Sequence, residues 1–196
     1  MSATAANETV LLNRVPKVTF DFWIIKLLAV TMGETAADYL AVNLGLGLTA
    51  TSLIMAAVLA VALVLQFRQR RYVPWTYWTA VVLISIVGTL VTDNLVDNLG
   101  VTLVTCTVVF TAALAATFAL WYSSEGTLSI HKVFTTRRES FYWLAILLTF
   151  ALGTAVGDLI AEKFGIGYFH TGILFAMIIA SLASGYWFLK LDPIFG

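Results

Sequence analysis

The sequence predicts an all-α fold: a polytopic membrane helix bundle of six transmembrane helices, arranged as three parallel two-helix hairpin repeats. Two observations predict it. Hydrophobic residues make up 60% of the 196 residues and charged residues only 11%, with a mean hydropathy of +0.92, whereas a soluble domain is roughly 45–50% apolar. In addition, the pattern W-x9-G-x4-D-x6-G recurs three times without gaps, as Trp23, Gly33, Asp38 and Gly45, then Trp78, Gly88, Asp93 and Gly100, then Trp143, Gly153, Asp158 and Gly165. Self-similarity of this kind marks an internal repeat.

Residues 1–21 (MSATAANETVLLNRVPKVTFD) are polar to mixed and lack the basic and apolar regions of a signal peptide, so they are expected to form a cytoplasmic N-terminal segment. Six apolar runs then follow, at 22–44, 46–67, 77–99, 101–122, 141–164 and 166–189. Each is long enough to cross about 30 Å of hydrocarbon, which takes roughly 20 helical residues. None alternates polar with apolar residues as a barrel strand does, and in lipid the backbone must satisfy itself within the segment, so the spans are helices. Gly45, Gly100 and Gly165 fall where one helix ends and the next begins. The repeats are therefore 22–67, 77–122 and 141–190, with a cytoplasmic loop at 123–140.

Basic residues set the orientation. Arg14, Lys17, Arg68, Arg70, Arg71, Lys132, Arg137, Arg138 and Lys190 lie on one side, against Lys163 alone near a glycine turn. The positive-inside rule then places both termini in the cytoplasm and the three glycine turns outside. All repeats share one orientation, and a pseudo-threefold bundle is the expected arrangement. The tryptophans and their aromatic neighbours read as an interfacial belt at the inner surface. The single cysteine, Cys106, sits in an apolar run and reads as packing. Nothing points to nucleic acid.

The first helix of each repeat carries two acids four residues apart: Glu34 and Asp38, Asp93 and Asp97, Asp158 and Glu162. Residues at that spacing share a helix face. Measured from the tryptophan, Glu34 is about 16 Å deep, the repeated aspartates about 22 Å, and Asp97 and Glu162 about 28 Å. The last two are thus near the outer surface, whereas Asp38, Asp93, Asp158 and Glu34 are inside, where a charge costs roughly 2.5–3.5 kcal/mol and is a functional hypothesis by default. Thr89 and Thr154 take the place of Glu34 in the other repeats and keep an oxygen after each glycine.

Three aspartates with Glu34, Thr89 and Thr154 make an oxygen-rich ion- or substrate-binding set, suited to a hard divalent cation such as Mn²⁺, Mg²⁺ or Ca²⁺ or to protons. His170, near the outer end of the last span, is a further metal-ligand candidate beside Asp158. Lys26, close to the inner interface, is expected to snorkel, and Gly33, Gly88, Gly153 and Gly157 read as close helix packing.

The segments VPKVTFDFWIIKLLAVTMGETAAD, TYWTAVVLISIVGTLVTD and RRESFYWLAILLTFALGTAVGD resemble a bacterial family of uncharacterised tandem-repeat membrane proteins, often labelled membrane-anchored proteins. The resemblance runs from about Val15 onward, and the FWIIK and GET stretches carry most of it. It implies the two-span repeat and a bacterial inner-membrane location, and no settled activity. Members of this kind commonly have four repeats where this sequence has three: the expectation is either a three-repeat member or a shortened sequence, the bundle of six helices then being completed by another subunit.

The functional expectation is an inner-membrane transporter or channel for a small cation, either a divalent metal or a coupled proton. Its partners would be the lipid bilayer and that cation, with a homo-oligomer as a further option. The alternative is a non-transport scaffold or assembly factor that binds a partner through its cytoplasmic loops. Enzymatic activity is not expected, since the sequence has no HExxH motif, no serine near a histidine at a common depth and no histidine pair for haem.

Overall fold

The computed structural model describes residues 13–130 and 133–189, apart from the side chains of 183 and 186–189. Most of the N-terminal segment, Lys132 and Lys190 lie outside them. Among the described residues there is no strand, and the fold is built from six α-helices: α1 (Phe20–Asp38), α2 (Leu48–Phe67), α3 (Pro74–Asp93), α4 (Leu103–Glu125), α5 (Thr136–Asp158) and α6 (Tyr168–Leu189). Four helical stretches are long and apolar enough to cross a membrane, namely Leu48–Phe67, Pro74–Asn98, Leu103–Glu125 and Thr136–Lys163. Helix α1 also spans a comparable length but is interrupted by Asp21, Lys26, Glu34 and Asp38. In α6 a shorter apolar stretch runs over Tyr168–Leu182.

Local chemistry accounts for the ends. The Thr19, Thr102 and Thr135 hydroxyls accept from the backbone N–H groups of Phe22, Thr105 and Arg138 and so cap α1, α4 and α5. Pro74 opens α3, where its missing N–H has no helical partner to lose. Gly126 closes α4 at φ +65°, in the left-handed region open to glycine. The three motif glycines that end the first helices adopt φ of +68°, +67° and +69° (Gly45, Gly100, Gly165). Gly47 and Gly167, two residues further on, are also left-handed. The second repeat has Thr102 at that position and uses its hydroxyl as a cap instead.

Helix α3 is the axis of the bundle. It packs against α1 on one side and α5 on another, and Tyr77, Ala80, Val81, Ile84, Ser85 and Leu90 are almost completely enclosed. In the first two hairpins the second helix leans away from its own first helix: α2 packs on α3, and α4 packs on α5. The hairpins therefore interlock, each bracing the next. Among the described residues helix α6 touches α5 only lightly. The outer faces of α2, α4 and α6 expose Leu53, Val61, Val108, Val109, Ile179 and Leu182, as helices bathed in lipid do.

Candidate functional site

The first helices meet through the motif glycines. Gly33 of α1 abuts Ser85 of α3, so that a Cβ on the glycine would lie 2.6 Å from Ser85 Cβ. Gly88 of α3 repeats this one interface along, with a virtual Cβ 2.6 Å from Phe150 Cβ of α5. Ser85 and Phe150 are equivalent positions, three residues before the glycines of their own repeats. Close approach lets polar groups bridge the helices. Ser85 Oγ donates to Ala29 O at 3.3 Å, and Thr92 Oγ1 donates to Ala151 O at 2.9 Å.

Helices α3 and α5 run in register, so equivalent residues, 65 apart in sequence, face each other. The hydroxyls of Tyr77 and Tyr142 are 2.5 Å apart near the tryptophan end, and those of Thr89 and Thr154 are 3.3 Å apart one layer further out. Repeat 1 has Phe22 and Glu34 at those two levels.

A third interface of this kind, from Gly153 back to Val30 of α1, is open. A Cβ on Gly153 would meet nothing within 4 Å. Val30 and Gly153 instead line a cavity of about 240 Å³ with Lys26, Glu34, Ile146, Thr149, Phe150 and Thr154. Lys26 turns into this cleft and does not snorkel: its Nζ stands 4.9 Å from the centre of the Phe150 ring.

Each repeated aspartate marks a change of helix type. Asp38, Asp93 and Asp158 are the last α-helical residues of their helices, and π-helical segments follow at Tyr39–Asn43, Asn94–Asn98 and Leu159–Lys163. π segments are rare and frequently accompany functional sites. Asp38 is exposed, whereas Asp93 and Asp158 are half-buried. Asp93 lies within electrostatic reach of Asp158, Asp38, Asp97 and Glu34.

The carboxylates that sequence grouped as one set are thus brought into one region but divide between places within it. Glu34 and Thr154 face the cleft, Thr89 is buried against Thr154, and Asp158 Oδ1 accepts a hydrogen bond from Tyr168 at 3.2 Å. Tyr168 also donates to Glu162 at 2.5 Å. It is Tyr168, at the start of α6, that reaches Asp158, while His170 is exposed with its ring against Phe169. Among the described residues no three His, Cys, Asp or Glu side chains form a group able to hold a metal ion.

A second polar cluster sits at the tryptophan end and was not anticipated. Glu139, nearly wholly buried, pairs with Arg14 at 2.5 Å, accepts from Gln66 Nε2 at 2.9 Å and from Trp143 Nε1 at 3.3 Å. Asn13 ties the same region together: its carbonyl accepts from Tyr72 N, its side-chain oxygen from Val133 N, and its amide donates to Ile130 O. Arg138 and Arg137 both face Glu125. The described parts of the loop at 123–140 are thereby drawn against the N-terminal segment.

A search of curated proteins gave no match, and neither did a search of solved structures. A family of repeats does match, over residues 22–72, 76–127 and 141–191, and its boundaries follow the three helix pairs. The chain belongs to the DUF347 family, described as a repeat of unknown function, and carries three tandem copies of that repeat.

Proposed function

We propose that the protein is a small-cation transporter of the bacterial inner membrane, with six transmembrane helices, cytoplasmic termini and the repeated aspartates as its cation- or proton-carrying groups. The observation that carries this reading is the coincidence, in all three repeats, of the aspartate with the start of a π-helical segment. A carboxylate at that depth is expensive in lipid, and a π segment displaces backbone carbonyls from their regular partners. Both are hard to retain three times for packing alone. Asp93 lies within electrostatic reach of Asp38 and Asp158, and among the described residues no three such side chains gather into one cage, which supports a cation or proton carried by separate groups. Thr89, Thr154 and Glu34 supply further oxygens one turn deeper.

Purified protein in sealed vesicles, loaded with a pH-sensitive dye or with one responsive to Mn²⁺ or Mg²⁺, tests the proposal. The unaltered chain is expected to carry at least one of these cations, and D38N, D93N and D158N each to slow the flux about tenfold or more while melting normally. Unchanged flux in the triple D38N/D93N/D158N variant would overturn it.

A further inference from the structure

The three first helices use one contact twice and leave it open once. Gly33 meets Ser85 and Gly88 meets Phe150, but Gly153 meets nothing, although its counterpart Val30 lines the same cleft. Second helices behave in parallel. Helix α2 supports α3 and α4 supports α5, while α6 does not cover α1, so the cleft between α1 and α5 stays accessible from the side.

The repeat symmetry is broken chemically at the same place. Lys26 corresponds to Val81 and Ile146 in the other repeats, and Glu34 corresponds to Thr89 and Thr154. Lys26, Val30 and Glu34 are spaced by four, so they form one stripe of α1, and all three line the cavity. The stripe has a lysine at one end and a glutamate at the other, their backbones about 12 Å apart along the helix axis. Between them lie Val30, Ile146 and Phe150, with the hydroxyls of Thr149 and Thr154. Among the described residues neither Lys26 nor Glu34 forms an ion pair, and the ammonium has only the Phe150 ring against it. Lys26 is half-buried and Glu34 is exposed along the cleft, and opposite charges left unpaired beside apolar walls suit a ligand that carries the complementary charges.

We propose that the cleft between α1 and α5 is a binding site for a small zwitterionic solute, whose anionic end meets Lys26 and whose ammonium end meets Glu34. The apolar walls hold the segment linking the two charges. A cavity of about 240 Å³ is smaller than the roughly 300–1,000 Å³ typical of drug-sized ligands, which restricts the solute to a short molecule. Neither charge alone explains the site, because a simple cation would be repelled by Lys26 and a simple anion by Glu34. The proposal goes beyond cation transport; it shares Glu34 and Thr154 with that reading but needs Lys26 and none of the three aspartates, so that, if both hold, the aspartates move the coupling ion and the cleft holds the solute.

The test uses the full chain in lipid nanodiscs and titrates straight-chain ω-amino acids of four to eight carbons by calorimetry, beside the matching alkylamines and alkanoates. One chain length is expected to bind at least about tenfold more tightly than its amine and its acid, the difference that one charge-assisted contact makes. K26E and E34K should each abolish that preference, and the double swap K26E/E34K should restore it with the solute reversed, a rescue that a packing role would not give. G153L should block binding by filling the cleft. Equal affinity of amino acid, amine and acid, or a double swap no better than the single changes, would overturn the proposal. D38N/D93N/D158N is expected to leave this binding intact, so failure of the cleft and failure of the aspartate pathway are read separately.

Discussion

Gly33 of α1 lies so close to Ser85 of α3 that no side chain fits between the two helices. The same relation holds for Gly88 and Phe150, and it is absent at Gly153. This difference within one repeated position makes the first prediction. G33A and G88A should each destabilise the bundle by about 1–3 kcal/mol, the usual cost of overpacking. G153A, whose methyl group meets nothing, should be neutral or stabilise by up to about 1 kcal/mol, the helix-propensity gain of alanine over glycine. Thermal unfolding in detergent, followed by tryptophan fluorescence, measures all three. S85G should recover most of the loss in G33A, because it removes the Cβ that the new methyl group meets.

Glu139 is the buried anchor of the tryptophan end. Its carboxylate holds Arg14, Gln66 and Trp143 at once, and the Arg14 side chain is only 12% exposed. E139Q keeps the shape but leaves the guanidinium without a countercharge, so a loss of about 3–5 kcal/mol is expected. R14M/E139M removes both charges and should be distinctly less damaging than E139Q in the same unfolding measurement. A double variant as unstable as E139Q would show that the charge pair is not what matters.

The repeat and the glycine turns were legible in the sequence because each rests on local chemistry: a glycine at positive φ and an apolar run of membrane length announce themselves. Three features were not. The π segments after Asp38, Asp93 and Asp158 share only an aliphatic second residue and a small apolar third one in YLAVN, NLVDN and LIAEK, a pattern that an α-helix accepts equally well. The interlocking of α2 with α3 and α4 with α5 is a choice of partner among equally apolar faces, which composition does not encode. The direction of Lys26 depends on the open seam beside Phe150, whereas its depth alone favours snorkelling. One signal for the cleft was present: Lys26, Val30 and Glu34 fall on one stripe, and two of them depart from the repeat.

Orientation is accessible through the single cysteine, which is 2% exposed. C106A should fold and provide a cysteine-free background. New cysteines at Leu46 and Ile166, in the glycine turns, should react with a membrane-impermeant maleimide added to intact cells. Cysteines at Gln69 and Thr127 should react only after permeabilisation. The reverse pattern would invert the proposed topology and place the aspartates in the cytoplasmic half.

The tyrosine pair tests whether α3 and α5 are held by polar contacts or only by their rings. Tyr77 and Tyr142 share one hydrogen bond of 2.5 Å, and both side chains are buried. Y77F or Y142F leaves a buried hydroxyl without its partner, which costs about 1–3 kcal/mol. Y77F/Y142F removes both hydroxyls and keeps both rings, so it should cost less than the sum of the single changes, with a coupling of about 1 kcal/mol or more in a double-mutant cycle. Repeat 1 supports the sign: it carries Phe22 at the equivalent position, and that ring packs 5.6 Å from Trp78 with no hydroxyl to satisfy. Strict additivity of the two changes would mean that the rings alone hold α3 and α5 together at this level.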